Sequence, residues 1–368
     1  MYAKLVAALL LTRAFALPHD TSSVCRELSI PITVSVPRFI FDVSVKDNWD
    51  AVSFSLNLTN REFTTPADPL PIAGITPDPV KGTYTIGATV CGNGGPTLIL
   101  THGIIESKLY WRPTFDNSKK YSFVDAAMAA GYSVISYDRI GIGSSHKVDA
   151  YQDTQFQVQT AVLNGLVDYA RDTMKATKVG LIGHSYGSYI TAASASQSKV
   201  DAIVLTGFTG DFTYFGPFLA GAGFRVAKTL NPSRWGSLDP SYLISSDVYA
   251  ETYAYYTPPY FEPRIARWSH SVGSEPFAAA ELLSLIASST SISYSNITGS
   301  VLALQGQYDV SACGGDCVGL LEKTAALFSG AAAVETVDDL PAGHNLNLHL
   351  VGPQAFQTII SFLKKHGV

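Results

Sequence analysis

The sequence has 368 residues, of which 15% are charged, and a formal net charge of -5. A chain of this length can bury a large core, either as one α/β domain with an insertion or as two smaller domains. The mild negative charge and the lack of a basic stripe argue against nucleic acid as a partner.

The first residues have the pattern of a secretory signal peptide. Lys4 provides a short positive region, residues 5–11 are apolar, and Ala14-Phe15-Ala16 fits the small-x-small rule for cleavage near Ala16. The apolar run is too short to span a bilayer, and no other stretch is long and apolar enough to do so. We therefore expect residues 1–16 to be removed and the protein to be secreted without stable membrane insertion. The alternative is that these residues form a buried first strand or helix.

Four cysteines, Cys25, Cys91, Cys313 and Cys317, fit an oxidising compartment, and they allow three disulfide pairings. Two glycines separate the last two cysteines and would let a short loop fold back. We therefore predict a Cys313–Cys317 bond, which leaves Cys25 to pair with Cys91. A metal site at the C-x-x-x-C pattern is the alternative, although no further cysteine and no nearby histidine pair completes four ligands.

Two Asn-x-Thr sequons add to the expectation of export. They begin at Asn57 and Asn296. If the chain is secreted, both mark exposed positions where a glycan can be attached.

Residues 17–90 are predicted to form a β-rich arm. Alternating apolar residues at 30–34, 39–43 and 52–56 predict short strands. The proline-rich stretch 65–79 predicts an extended connection rather than a domain linker, because the strand-like run 83–88 follows at once.

From residue 97 onward, short apolar runs alternate with segments of helical pattern. The predicted strands are residues 97–100, 132–137, 179–182, 202–205, 301–305 and 333–337, and the predicted helices are residues 123–131, 156–175, 320–328 and 354–365. Strands that alternate with helices predict a mostly parallel central sheet flanked by helices. Ligands of such sheets bind at the carboxyl ends of the strands.

The alternation is interrupted at residues 208–295, which are rich in Phe, Tyr and Trp and contain several prolines. This stretch is too long for a loop, and it has no strand–helix rhythm, so it predicts a mainly helical insertion. We therefore expect a core formed by residues 17–207 and 296–368, with residues 208–295 as a cap.

The motif Gly183-His184-Ser185-Tyr186-Gly187 lies between an apolar strand and a helix of small residues. This context is typical of a nucleophile elbow, a sharp strand-to-helix turn that exposes the hydroxyl of its central serine. The serine backbone is strained there, and the flanking glycines avoid collisions between neighbouring segments.

Together with four further motifs, this elbow makes the chain resemble the α/β-hydrolase superfamily in its capped form. The further motifs are Thr101-His102-Gly103-Ile104, Tyr137-Asp138-Arg139-Ile140-Gly141-Ile142-Gly143-Ser144, Tyr308-Asp309 and Gly343-His344. The resemblance extends from about Thr83 to the C-terminus and implies the fold of that superfamily. Its chain order of nucleophile, acid and histidine is met.

A serine nucleophile needs a base, and the base needs an orienting acid. Of eight histidines, two remain after those at the chain ends, in the other turn motifs and in the insertion are set aside. His344 is preferred over His349, because it follows the last strand in a glycine-containing loop where the family places its base. The resemblance places the acid at Asp309, with Asp211 as the alternative because some members carry it there.

By the family pattern, the oxyanion hole is formed by the backbone N–H groups of Ile104 and Tyr186. The alternative interpretation of His102-Gly103 is a plain strand-to-loop turn.

Serine at the elbow also separates this chain from the epoxide hydrolases and haloalkane dehalogenases of the superfamily, which carry aspartate there. Ser185 indicates acyl transfer through an acyl-serine intermediate. We therefore expect a secreted serine hydrolase that cleaves a carboxylic ester or lactone, without metal or organic cofactor. The cap aromatics suggest a bulky apolar substrate, although at least half of them are expected to pack the cap's own core.

Two other functions are compatible with the same residues. One is an acyltransferase or another tailoring enzyme of small-molecule biosynthesis that uses the same triad. The other is a hydrolase-fold receptor or binding protein without catalysis.

Overall fold

The computed structural model describes residues 25–60 and 70–368. The predicted signal peptide and part of the proline-rich stretch lie outside these residues. The described strands are β1 (Cys25–Val36), β2 (Phe39–Phe41), β3 (Ile72–Ile75), β4 (Val80–Cys91), β5 (Gly95–Thr101), β6 (Ser133–Tyr137), β7 (Ala176–His184), β8 (Ala202–Thr206), β9 (Arg225–Val226), β10 (Tyr242–Ile244), β11 (Phe277–Ala278), β12 (Ser300–Gly306) and β13 (Val334–Leu340).

The described helices cover both faces of the sheet and form most of the insertion. They are α1 (Asn48–Asn60), α2 (Phe123–Ala129), α3 (Phe156–Asp172), α4 (Tyr186–Gln197), α5 (Phe215–Ala222), α6 (Ala227–Leu230), α7 (Pro232–Trp235), α8 (Val248–Tyr255), α9 (Pro263–Trp268), α10 (Ala279–Ser288), α11 (Val310–Cys313), α12 (Leu321–Ala326) and α13 (Gly352–Lys365).

The central sheet has the strand order β1-β4-β6-β5-β7-β8-β12-β13 within the described residues. Strand β4 is antiparallel to both β1 and β6. The pairs from β6 to β13 are all parallel. Every residue of β6, β8 and β12 is buried, as expected where helices cover both faces of a parallel sheet. The predicted fold class is confirmed.

One predicted strand, residues 52–56, is wrong: these residues lie in helix α1. The helix buries Ala51, Phe54 and Leu58, which are spaced as one helical face requires. Its start is capped by Asp47, whose carboxylate accepts N–H groups of the first turn at 2.8 and 3.1 Å. The alternation of apolar and serine residues resembled a strand, but the acidic cap and the helical spacing decide the structure.

The insertion between β8 and β12 contains helices α5 to α10, as its composition predicted, and also a small sheet of order β11-β10-β9. The sequence did not reveal this sheet, because strands of two or three residues show no period-two pattern. The insertion contacts the loop after β5, where the hydroxyl of Tyr255 donates to the carbonyl of Ile104 at 2.7 Å. It therefore lies over the carboxyl ends of the sheet strands.

Both predicted disulfides are present. Cys25–Cys91 joins directly paired residues of β1 and β4, and Cys313–Cys317 closes the loop after α11. Because bonded sulfurs are not thiolates, the alternative metal site at the C-x-x-x-C pattern is wrong.

Removal of the first disulfide should destabilise the protein. The bond closes a sequence separation of 66 residues, for which loop entropy predicts up to about 4 kcal/mol. We expect the variant with Cys25→Ala and Cys91→Ala to lose about 2–4 kcal/mol in free energy of unfolding, measured by urea denaturation. The variant with Cys313→Ala and Cys317→Ala opens a much shorter loop and should lose less. Equal unfolding midpoints for the wild type and the first variant would contradict this account.

Candidate active site

Ser185 lies at the turn between β7 and α4 with φ 54° and ψ −124°, a conformation that L-residues rarely adopt. Its N–H donates to the carbonyl of Thr206, at the end of β8, at 2.8 Å. A Cβ atom on Gly183 would lie 2.5 Å from the Gly187 oxygen, and one on Gly187 would lie 2.2 Å from the Thr101 oxygen. Only glycine fits at these two positions, so the turn has the geometry that the sequence motif predicted.

His344 and Asp309 form a buried hydrogen-bonded pair. The imidazole Nδ1 donates to Asp309 Oδ2 at 2.7 Å. The other carboxylate oxygen accepts the N–H of Ala312 at 2.8 Å, and the side chain of Gln305 donates to Oδ2 at 3.2 Å. These bonds fix the carboxylate, which in turn orients the imidazole and leaves its Nε2 free to accept a proton.

One cavity brings the predicted residues together. Ser185, His344, Ile104 and Tyr186 all line it. The rest of its wall is mostly apolar and includes Tyr189, Phe212, Phe215, Phe218, Leu282 and Leu285. The nucleophile candidate, the base candidate and both residues predicted for the oxyanion hole therefore face one space.

Asp211, the alternative acid, lines the same cavity but has other partners. Its carboxylate accepts the N–H of Thr213 at 2.9 Å and the hydroxyl of the same residue at 2.7 Å. The geometry thus pairs the imidazole of His344 with Asp309.

His349, the alternative base, is buried and braces the loop that carries His344. Its Nε2 accepts the N–H groups of Gly343 at 3.0 Å and Thr257 at 3.2 Å, and its Nδ1 donates to the carbonyl of Asn345 at 2.9 Å. Burial lowers the pKa of His349 to about 4. Both ring nitrogens are engaged, so this side chain has no free nitrogen for proton transfer. The final helix starts three residues after His349.

Glu106 was not identified from the sequence, although it lies beside the site. Its Oε2 accepts the N–H of Gly103 at 2.7 Å, and its Oε1 is 3.4 Å from Nε2 of His184. His184 Nδ1 is in turn 2.9 Å from the hydroxyl of Thr206. Burial raises the pKa of the Glu106 carboxyl well above its usual range and lowers the pKa of His184 well below its own. A neutral buried pair thus joins the loop after β5 to the serine turn. A single glutamate in the sequence gives no sign that its side chain will be buried.

Comparison with known proteins agrees with this architecture. The profile of a family described as alpha/beta hydrolase fold matches residues 96–255. Similar solved structures include a monoacylglycerol lipase from Paleococcus ferrophilus, with 16% identity, a TM-score of 0.54 and coverage of 77% of this chain and 99% of that chain. No curated protein matches the sequence.

Two further structures have comparable scores. The 2-hydroxy-6-oxo-6-phenylhexa-2,4-dienoate hydrolase from Rhodococcus sp. strain RHA1 has 18% identity and a TM-score of 0.53, over 77% of this chain and 95% of that chain. The enol-lactonase from Burkholderia xenovorans LB400 has 17% identity and a TM-score of 0.52, over 76% of this chain and 97% of that chain. At such identities the likeness establishes the fold.

The raised pKa of Glu106 predicts a pH-dependent stability difference. Below the ordinary pKa of a glutamate, the Glu106 carboxyl is protonated in both the folded and the unfolded state. As pH rises above that value, the unfolded state releases the proton while the folded state keeps it, so the stability of the wild type falls until the folded-state pKa is reached. Glu106→Gln keeps the acceptor for Gly103 and cannot ionise. We expect its free energy of unfolding, relative to wild type, to increase as pH rises above the ordinary pKa of a glutamate, by at most about 1.4 kcal/mol per pH unit. Denaturation at several pH values measures this difference; a difference independent of pH would contradict a neutral Glu106.

Proposed function

Because this chain belongs to the α/β-hydrolase superfamily, we propose that it is a serine hydrolase that cleaves a carboxylic ester or lactone of a bulky apolar small molecule. One observation carries the proposal: Ser185 and His344 line one cavity, and Asp309 Oδ2 accepts a hydrogen bond from Nδ1 of His344 at 2.7 Å.

In the proposed acylation step, the Ser185 oxygen attacks the carbonyl carbon of the ester, and Nε2 of His344 accepts the hydroxyl proton. Asp309 stabilises the resulting imidazolium. The carbonyl oxygen becomes an oxyanion, which accepts hydrogen bonds from the N–H groups of Ile104 and Tyr186. Each such donor is typically worth about 10²–10³ in rate.

The tetrahedral intermediate then collapses. The bond to the leaving oxygen breaks, and the imidazolium of His344 returns its proton to that oxygen, so that an alcohol leaves and the acyl group stays on Ser185. Water attacks the acyl carbon with the same imidazole as base, and a second collapse releases the acid and restores the serine. A lactone follows the same steps but gives a single hydroxy acid.

The cavity wall supports an apolar substrate group. Phe212, Phe215 and Phe218 of the insertion line the space beside Ser185. Other insertion aromatics pack against one another, as Phe224 and Phe277 do with ring centroids 4.8 Å apart. Only part of the aromatic content thus serves the cavity, and that part favours a large hydrophobic or ring-containing group.

A wider groove adjoins this cavity. The two share Thr209, Asp211, Phe212 and Phe215, and the groove extends to Leu58 of α1 and to Leu327 beyond α12. We expect the part of a long substrate that is remote from the scissile bond to lie there.

Secretion is part of the proposal. Two disulfides support an oxidising compartment. The predicted sequon residues Asn57 and Asn296 are exposed, as attachment of a glycan requires. Among the described residues, no helix has the length and apolarity to cross a membrane.

Substitution of the nucleophile tests the proposal. Wild-type protein should be labelled by a fluorophosphonate probe and should hydrolyse a short aryl ester. Ser185→Ala should lose the label, and its turnover should fall by about 10⁴ or more while its unfolding midpoint is unchanged. A well-folded wild type that is neither labelled nor active would favour a binding protein instead.

A second pair of variants tests the acid. Asp309→Asn removes the charge that stabilises the imidazolium, so kcat should fall by about 10³–10⁴. Asp211→Asn is the matched control in the wall of the same cavity, and we expect its kcat to stay within a few fold of wild type. Full activity of Asp309→Asn together with an inactive Asp211→Asn would reverse the assignment.

A further inference from the structure

Arg139 is a fully buried arginine that contacts the Tyr186 ring and the peptide group that carries the N–H of Ile104, and the inference drawn from it rests on the proposed function. It follows β6, and its side chain is 1% exposed. One guanidinium nitrogen donates to the carbonyl of Gly103 at 3.2 Å. That carbonyl belongs to the same peptide group as the N–H of Ile104.

A histidine reinforces this contact. The backbone N–H of Arg139 donates to Nε2 of His102 at 3.1 Å, so that nitrogen is the acceptor and the ring proton is on Nδ1. His102 Nδ1 then donates to the same Gly103 carbonyl at 2.8 Å. Burial and the neighbouring guanidinium lower the pKa of His102 well below its usual range, which keeps this ring neutral.

The guanidinium of Arg139 also packs on the other oxyanion residue. Its central carbon lies 4.7 Å from the centroid of the Tyr186 ring. Tyr186 is the first residue of α4, and its backbone N–H is the second proposed donor. One cationic group therefore touches both halves of the hole.

Arg139 is held in place from two sides. Gln159 of α3 accepts from it at 2.8 Å, and Glu281 of α10 forms a buried ion pair with it. The other carboxylate oxygen of Glu281 accepts the N–H of Ala278 at 2.9 Å. Since α10 belongs to the insertion, the partner that fixes this arginine comes from the segment above the site.

We propose that Arg139 is a positioning residue of the oxyanion hole and that Glu281 of the insertion holds it against the peptide group between Gly103 and Ile104. A carbonyl that accepts charge-assisted bonds polarises its peptide group, so the N–H on the opposite side becomes a stronger and better-fixed donor. Such a donor needs little reorganisation when the negative charge develops.

The contribution falls on the transition state, because the ester carbonyl carries little charge before attack. Weakening of the donor should therefore lower kcat and leave KM nearly constant. It should also weaken binding of a trifluoromethyl ketone, which forms a tetrahedral oxyanion on the serine, without changing the binding of a product alcohol.

Three variants separate this role from a purely structural one. Arg139→Lys keeps a buried cation but loses the planar fork that reaches Gly103 and stacks on Tyr186. The double variant Arg139→Met with Glu281→Leu replaces the ion pair by apolar groups, which proteins often tolerate without loss of stability. Arg38→Lys is the matched control, because Arg38 is equally buried and donates to the carbonyl of Val36, far along the chain from the hole.

For Arg139→Lys we expect kcat to fall by about 10–10²-fold, less than the loss of a whole donor, with KM within about threefold of wild type. Affinity for the trifluoromethyl ketone should fall by the same factor as kcat/KM. The double variant should remain as slow as Arg139→Lys even when its unfolding midpoint equals that of wild type. Arg38→Lys should keep both the wild-type kcat and the wild-type affinity for the ketone.

Two results would overturn the positioning role and leave the hydrolase proposal intact. One is a wild-type kcat in Arg139→Lys, and the other is a wild-type kcat in a stably folded double variant. The same holds if the loss were confined to KM or if ketone affinity did not change. If the double variant does not fold, the kinetics and ketone affinity of Arg139→Lys decide alone. A wild type without label or turnover would instead overturn the proposed function itself.

Discussion

The strained turn at Ser185 is the constraint on which the rest of the site depends. Its backbone is held at φ 54°, and its N–H is tied to the carbonyl of Thr206. The turn is possible only because Gly183 and Gly187 let neighbouring backbone segments approach where a Cβ atom would collide. The same approach brings the loop after β5 next to the serine, so one backbone requirement places the proposed nucleophile beside its proposed oxyanion donors.

Buried polar groups then fix the loops around this turn. Asp309 accepts hydrogen bonds on both oxygens and so orients His344, while Glu106 accepts the N–H of Gly103 and Arg139 donates to the carbonyl of the same residue. None of these groups reaches water freely, so each interaction is stronger than it would be on the surface. In the proposed reaction, the site can therefore meet developing charge with little rearrangement.

The sequence predicted those parts that depend on local patterns. The serine turn, the sheet strands and both disulfides follow from short motifs, whereas the choice of Asp309 and His344 rested on the resemblance to the α/β-hydrolase superfamily. Helix α1 was missed because its alternating residues fit two structures, which the cap at Asp47 and the helical spacing of the buried residues distinguish. The Arg139–Glu281 pair could not be predicted, because 142 residues separate two side chains that only the folded insertion brings together.

The central claim is that Ser185 carries the acyl group during turnover. Its most direct test is to quench the wild-type protein with acid while it hydrolyses an ester and to map the acylated peptide by mass spectrometry. The account predicts the mass of the acyl group on the peptide that contains Ser185, removed when the reaction is left to finish. Two results would contradict it. One is ester turnover with the acyl group on another residue. The other is ester turnover without any covalent intermediate at saturating substrate, for an ester whose deacylation is rate-limiting.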